Sequence, residues 1–304
     1  MNNSIGKLKE WAGTYGEDLY ILSGEPMSRH TSFRIGGPAA LFLIPQTQEA
    51  FCAAIRQAHE TEARFFVLGN GSNVLFDDAG FDGAVIATSA LDGITFDGEL
   101  LTAEAGSSLS SVCKTARDAS LAGLEFAYGI PGSVGGAVVM NAGAYGGEIK
   151  DVLAESVAFD PALREIVRLP LDEHAYGYRD SIYKHSERIV LAASFRLVPG
   201  DREEIAAKMN DIAGRRVAKQ PLEYPSAGSV FKRPEGHFVG QMVEESGLKG
   251  YRIGGAEVSE KHAGFIVNRG GATSRDVLAL VEHIRDVVRN NYAVELECEI
   301  IHVK

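Results

Sequence analysis

Cysteine is scarce: Cys52, Cys113 and Cys298 are the only three in 304 residues, and no two show CxxC spacing. A disulfide framework and a clustered zinc site are therefore not expected. The eight histidines include no H-E-x-x-H or comparable pattern, so no metal site is predicted. No stretch approaches the ~18 consecutive apolar residues of a membrane-spanning helix. The opening MNNSIGKLKEW lacks the apolar core of a signal peptide, which makes the cytoplasm the default expectation. Basic charge is in deficit, 30 Lys and Arg against 41 Asp and Glu, for a net charge of -11. That balance opposes non-specific nucleic-acid binding and leaves room only for a local basic pocket. Internal repeats and low-complexity tracts are absent as well.

What remains is an ordinary globular composition, 45% hydrophobic and 23% charged, in a chain long enough for two or three compact units. The segment to about Arg29 reads as one or two short helices, with Ile5, Leu8, Trp11 and Ala12 on one face. Ala39–Pro45 reads as a buried strand. Thr47 opens a helix with apolar Phe51, Ala54, Ile55 and Ala58, and Arg64–Leu68 is a further strand. Asp92-Gly93 and Asp97-Gly98 signal hairpins between strands near 84–87, 94–96 and 100–103. Ser108 caps a helix striped by Leu109, Val112, Cys113 and Ala116, and strands follow near 152–160, 165–169 and 189–198. Pro199-Gly200-Asp201 is the clearest boundary. Beyond it Ile205, Met209 and Ile212 line a helix expected to end near Gly214, before the basic run Arg215, Arg216 and Lys219. A helix over 240–246 and a strand over 263–267 come next. Thr273 and Asp276 form a capping arrangement for a helix carrying Val277, Leu280, Val281, Ile284, Val287 and Val288. Residues 294–303 read as a closing strand with Glu295, Glu297 and Glu299 on one face, which repel unless exposed or paired.

The densest feature is Tyr128–Gly147, YGIPGSVGGAVVMNAGAYGG, with seven glycines in twenty residues. Two readings stand for it: backbone wrapped closely around a large flat or phosphorylated ligand, or a set of tight turns. Gly69-Asn70-Gly71-Ser72-Asn73, at the end of a strand–helix–strand unit, has neither a Walker A lysine nor the spaced glycines of a dinucleotide fingerprint. It is an anion nest or a plain turn. Arg179, within Tyr176–Ser181, suits carboxylate or phosphate recognition, or an ion pair with Asp180. Ser229 has no G-x-S-x-G elbow around it and alone is an ordinary turn residue.

Several motifs in fixed order carry a resemblance from about Thr31 to Val303. They are TSFRIGG (31–37), VLGNGSNVL (67–75), GIPGSVGGAVVMNAGAYGGE (129–148), YRDS (178–181), AGSVFKRP (227–234) and SEKHAGFIVN (259–268). In these the chain closely resembles the UDP-N-acetylenolpyruvoylglucosamine reductases, in their shorter subtype. The resemblance implies an α+β architecture: a two-part FAD-binding domain of the p-cresol methylhydroxylase-like (VAO-type) fold and a separate α/β substrate-binding domain. The expected divisions are 1–89, 90–199 and 200–304. It implies non-covalent FAD, NADPH as co-substrate, an enolpyruvyl UDP-sugar as substrate, and no nucleic-acid, membrane or obligate protein partner. Carried over position by position, Arg179, Ser229 and Glu299 match the family's catalytic arginine, serine and glutamate. Gly69, Asn70, Gly71, Ser72 and Asn73 would cradle the pyrophosphate. Gly129, Pro131, Gly132, Ser133, Gly135, Gly136, Asn141, Ala142, Gly143 and Tyr145 would wrap the flavin. Tyr178, Lys219, Lys232, Arg233 and His262 would touch the sugar nucleotide. Two departures stand out: Arg233 holds a position often occupied by Asn, and the substrate-capping tyrosine of the longer subtype has no evident counterpart. Two other classes compete, an oxygen-using flavin oxidase of the same superfamily and a non-catalytic nucleotide-binding module.

Overall fold

The computed structural model describes residues 3–304. The chain groups into two compact units, each assembled from non-contiguous segments. The first comprises residues up to Ser23, Leu41–Asn70 and Gly83–Arg216; the second comprises Gly24–Ala40, Gly71–Asp82 and Val217–Lys304.

The first unit carries a four-stranded sheet in the order Leu19–Pro26, Pro38–Pro45, Phe81–Ala87, Phe65–Leu68, the last two strands parallel. The helix Gln48–Glu60 buries Phe51, Ala54, Ile55 and Ala58, and Thr47 caps it by accepting from the Ala50 N–H. This helix links the strand Pro38–Pro45 to Phe65–Leu68, and residues 69–80 make the connection between the two parallel strands. A second sheet is wholly antiparallel: Glu165–Pro170, Leu153–Asp160, Ile189–Arg196, Leu100–Glu104, Ile94–Asp97. The helices Leu109–Asp118 and Val134–Val139 share its apolar core with Phe195, Val190 and Ala158. Asp97-Gly98 turns a hairpin as expected. Asp92-Gly93 does not, because the strands it separates belong to different sheets; its glycine N–H instead donates to Glu104 Oε2.

The second unit has the sheet Ser226–Ser229, Phe265–Asn268, Ala256–Val258, Arg252–Ile253, all neighbours antiparallel. Ser274–Tyr292 buries Val277, Leu280, Val281, Ile284 and Val288, the predicted stripe apart from half-buried Val287. The Thr273/Asp276 capping box forms with both reciprocal bonds. A parallel pair joins Val74–Phe76 to Ile301–Val303.

Three further expectations need correction. The N-terminal segment is one helix, Asn3–Tyr15, followed by the strand Leu19–Pro26, which pairing within a sheet stabilises beyond any local helical preference. The helix after the boundary runs over Arg202–Lys219 straight through Gly214, whose missing side chain costs only about 1 kcal/mol at an exposed helical position. The closing strand is confined to Ile301–Val303. Before it the chain runs irregularly beside 230–232, with the Lys232 N–H donating to Glu297 O and the Glu299 N–H to Val230 O, each 2.8 Å. The carboxylates there are paired as charge requires: Glu295 with Arg289 and Glu297 with Lys232.

Candidate functional site

In the first unit the glycine-rich stretch folds into a short helix and tight turns. Val134–Val139 is a short helix capped by Ser133, whose Oγ accepts from the Gly136 N–H. A side chain at Gly69 would stand 2.3 Å from that same Ser133 oxygen, so the first glycine turn and the second are fitted to each other. Gly135 packs its backbone on Ala105, with its N–H donating to Ala105 O at 2.8 Å. Gly136, Pro131 and Asn70 remain exposed, Gly132 and Ala142 are half-buried, and the Gly132 carbonyl accepts from Leu109 N–H. Gly143 starts a small hairpin in which Gly143 and Ala144 pair with Glu148 and Gly147.

Arg179 is held against this stretch by side chains. Its Nη2 donates to Gly143 O at 3.2 Å, and Ser181 Oγ donates to Val139 O at 2.7 Å. Fully buried Asn141 donates through Nδ2 to Gly177 O at 3.0 Å and to Glu148 Oε2 at 2.9 Å, and accepts from Lys150 N–H through Oδ1. Lys150 beside Glu148, with the Asn141 bond, lowers the pKa of that carboxylate, which keeps it an acceptor. Asn141, Tyr145 and Arg179 all have positive φ, at 42°, 53° and 55°. For non-glycine residues such backbone is strained by roughly 1–2 kcal/mol and persists only where neighbours hold it. Tyr178 is exposed, with the Arg179 guanidinium 5.1 Å from its ring centre.

Ser229 and Glu299 come together in the second unit. Ser229 ends its strand exposed to solvent, in register with Phe265, while Glu299 is half-buried. The Glu299 N–H bonds the carbonyl of Val230, the residue after Ser229, and the Glu299 carbonyl accepts from Asn73 Nδ2 at 3.1 Å. Gly71 has φ 61° and lies so close to His30 that a Cβ would fall 2.1 Å from its carbonyl oxygen; Ser72 follows it, half-buried. Of the expected substrate contacts, Lys219 is exposed at the end of its helix. Arg233 lays its guanidinium 3.8 Å from the Phe238 ring centre and donates to His237 O. His262 accepts from Gly264 N–H through Nδ1, and burial lowers the pKa of its imidazole.

One residue without an assigned role is conspicuous. Arg216 is 9% exposed, its Nε is buried with no hydrogen-bond partner, and burial lowers the pKa of the guanidinium. Its guanidinium lies 5.9 Å from the Tyr145 ring centre, and a Cβ on Gly129 would sit 3.1 Å from its Cδ. The signal is present in the sequence: Ile205, Met209 and Ile212 set a buried stripe whose next position is 216. This leaves one buried N–H donor beside the glycine-rich stretch, open to an acceptor from a ligand or a water. Among the described residues no group of His, Cys, Asp and Glu is arranged to hold a metal ion.

Comparisons with known proteins bear on both units. A family model for the UDP-N-acetylenolpyruvoylglucosamine reductase C-terminal domain matches residues 220–303, and one for an FAD binding domain matches 39–162. The chain is 46% identical over 284 residues to the UDP-N-acetylenolpyruvoylglucosamine reductase of Clostridium perfringens, covering 93% of this chain and 92% of that protein. Against the protein of that name from Caldanaerobacter subterraneus it is 49% identical over 282 residues, with the same coverage. The crystal structure of the Thermus caldophilus UDP-N-acetylenolpyruvylglucosamine reductase superposes with TM-score 0.79 at 34% identity, covering 94% of this chain and 99% of that one.

Proposed function

The chain belongs to the UDP-N-acetylenolpyruvoylglucosamine reductase family, and we infer from that membership an NADPH-dependent, FAD-mediated reductase. It reduces UDP-N-acetyl-3-O-(1-carboxyvinyl)glucosamine to UDP-N-acetylmuramate, a step in making peptidoglycan precursors. The observation that carries this is identity of 46% across 93% of the chain. The expected fold follows with it, an FAD-binding domain of VAO type and a separate substrate domain.

The residues present fit the cofactor: exposed Pro131 and Gly136 flank the Ser133-capped helix, and Arg216 offers a buried Nε donor with no partner beside Gly129. Gly69–Asn73 would hold the pyrophosphate, and Gly129–Gly136 with Asn141–Tyr145 the flavin. No His or Cys lies in either glycine segment, so neither offers a side chain to tether the flavin, and the reading is of FAD held without a covalent bond. Bound there, FAD would supply two-electron hydride chemistry between NADPH and the enolpyruvyl methylene carbon.

Hydride arriving at that carbon leaves negative charge on its neighbour and on the attached carboxylate. Arg179 pairs with the carboxylate through a planar fork that matches two oxygens at once. Ser229 gives its hydroxyl proton to the adjacent carbon, which as a carbanion or enolate is base enough to take it. Glu299 hydrogen-bonds the developing enolate or keeps donor and substrate in line. Lys219, Lys232, Arg233, Tyr178 and His262 hold the sugar nucleotide. In this reading residues 1–89 and 90–199 supply the cofactor contacts, and 200–304 supply most of the substrate contacts. Among the described residues no helix is long and apolar enough to cross a membrane. NADPH and the sugar nucleotide are water-borne reactants, which supports a cytoplasmic setting.

Steady-state turnover tests the function. NADPH oxidation by the FAD-loaded protein should depend on the enolpyruvyl sugar nucleotide and yield UDP-N-acetylmuramate. NADPH consumption that proceeds with oxygen alone, without that product, would make the protein an oxidase.

A further inference from the structure

The loop that carries Arg179 is closed at both ends on one buried imidazole. His174 is 0% exposed. The ring of Tyr176 stacks on it at 5.0 Å and 18°, and the ring of Tyr183 lies tilted at 5.8 Å. Ser156 Oγ stands 2.8 Å from His174 Nε2 and 2.5 Å from the Tyr183 hydroxyl. His174 Nδ1 stands 2.9 Å from Pro170 O.

Every hydrogen in this cluster has one possible place. A carbonyl only accepts, so Nδ1 carries the imidazole hydrogen and donates to Pro170. Burial lowers the pKa of His174, which keeps the ring neutral and leaves Nε2 an acceptor. Ser156 must then donate to Nε2, and Tyr183 must donate to Ser156. The Tyr176 hydroxyl is buried without a partner, so its end of the loop is held by ring stacking instead.

We propose that the Tyr183–Ser156–His174 chain is a positioning device for Arg179, fixing the loop's two ends so that the guanidinium is presented in one orientation. The strained φ of 55° at Arg179 needs such anchoring, because a loop free at its ends relaxes to ordinary backbone. A polar chain satisfied in only one arrangement is well suited to it, since any other arrangement leaves a buried group unpaired. The inference rests on the reading of Arg179 as the residue that stabilises developing charge.

The test is a mutant cycle read by anaerobic rapid mixing of both half-reactions. Tyr183→Phe keeps the ring and removes one oxygen. It should slow transfer to the enolpyruvyl substrate by roughly three- to tenfold, the worth of one hydrogen bond, and leave flavin reduction by NADPH unchanged. In an Arg179→Lys background it should add nothing further, because the oriented fork is already gone. Ser194→Ala is the structural control: it removes the partner of Thr102, 2.8 Å away in the same sheet, and should leave both half-reactions at wild-type speed. Ser156→Cys, which keeps volume and weakens both bonds, gives the same reading should Tyr183→Phe fail to fold. Equal slowing of both half-reactions, or a Tyr183→Phe effect that multiplies fully with Arg179→Lys, overturns the positioning role alone. If Arg179→Lys itself leaves reoxidation at wild-type speed, the reading of Arg179 falls first and the proposal with it.

Discussion

The two units hold their site residues by different means. In the first, Arg179 stands on strained backbone and is fixed by side chains: Asn141, Ser181 and the chain through Ser156. In the second, Ser229 and Glu299 are placed by main-chain pairing, through the Ser229–Phe265 register and the bond from Glu299 N–H to Val230 O. The difference teaches where each position is encoded. A site written in side chains is spoiled by substitutions one layer behind it, whereas a site written in backbone tolerates its neighbours and depends on the reactive groups themselves.

The largest effect is therefore expected at a reactive group of the second unit. Ser229→Ala should leave flavin reduction near normal and slow reduction of the enolpyruvyl substrate by roughly 10²-fold or more, as when a positioned proton donor is lost. Glu299→Gln should show the same asymmetry, while Glu295→Gln and Glu297→Gln, whose carboxylates pair with Arg289 and Lys232, should change little. Stopped-flow absorbance of the flavin decides between these outcomes. Wild-type reoxidation in Ser229→Ala would move the proton donor elsewhere.

Next in size is the buried cation. Arg216→Met keeps most of the aliphatic stem and removes the charge, and should weaken FAD binding by roughly tenfold or more, the worth of a hydrogen bond to a charged group. Equilibrium titration of stripped protein with FAD measures it directly. Unchanged affinity would show that Arg216 serves packing beneath Gly129 and nothing else.

A paired substitution one layer out sharpens the contrast itself. Asn141→Ala leaves three part-buried partners unmet and should cost about 2 kcal/mol of stability, slowing the step that uses Arg179 as well. Cys298→Ala, adjacent to Glu299, removes only long thiol contacts of 3.4 and 3.6 Å and should cost less than about 1 kcal/mol without touching that step. Denaturant melts with the same kinetics would reverse the comparison if Cys298→Ala proved the more harmful to turnover.

The smallest effect is in pH. Each unit has a histidine whose pKa burial lowers, His174 in the first and His262 in the second. The unfolded chain binds protons below about pH 6.5 that these folded imidazoles refuse, so stability is full above that value and falls as pH drops below it. His174→Asn and His262→Asn should each flatten the fall in Tm on acidification. Parallel Tm curves in the wild type and both variants would assign the loss to other groups.

Much of the scaffold is legible in the amino-acid order alone, and the reasons are local. The stripe at 277–288 and the Thr273 cap report a helix through periodicity and a single hydrogen-bonding pattern, so both are readable. The strand Leu19–Pro26 is not, because its conformation is set by a partner strand rather than by its own residues. Gly214 misleads as a stop because nothing local tells an exposed helical glycine from a terminal one. Roles for Arg179, Ser229 and Glu299 come through resemblance, since none sits in a pattern that spacing alone makes chemical. The chain through Ser156, His174 and Tyr183 is invisible in the sequence, its other members lying 18 and 27 residues from Ser156. Only the antiparallel sheet and the loop beside it bring them together.

This protein passes electrons from NADPH to an enolpyruvyl sugar nucleotide through bound flavin. The most direct measurement is a single turnover without oxygen. Protein loaded with FAD and bleached by one equivalent of NADPH is mixed with enolpyruvyl UDP-N-acetylglucosamine, and the flavin absorbance is followed while product is collected. The colour should return, with one UDP-N-acetylmuramate formed for each flavin reoxidised. Flavin that stays bleached until oxygen is admitted, with the sugar nucleotide recovered unchanged, would contradict it.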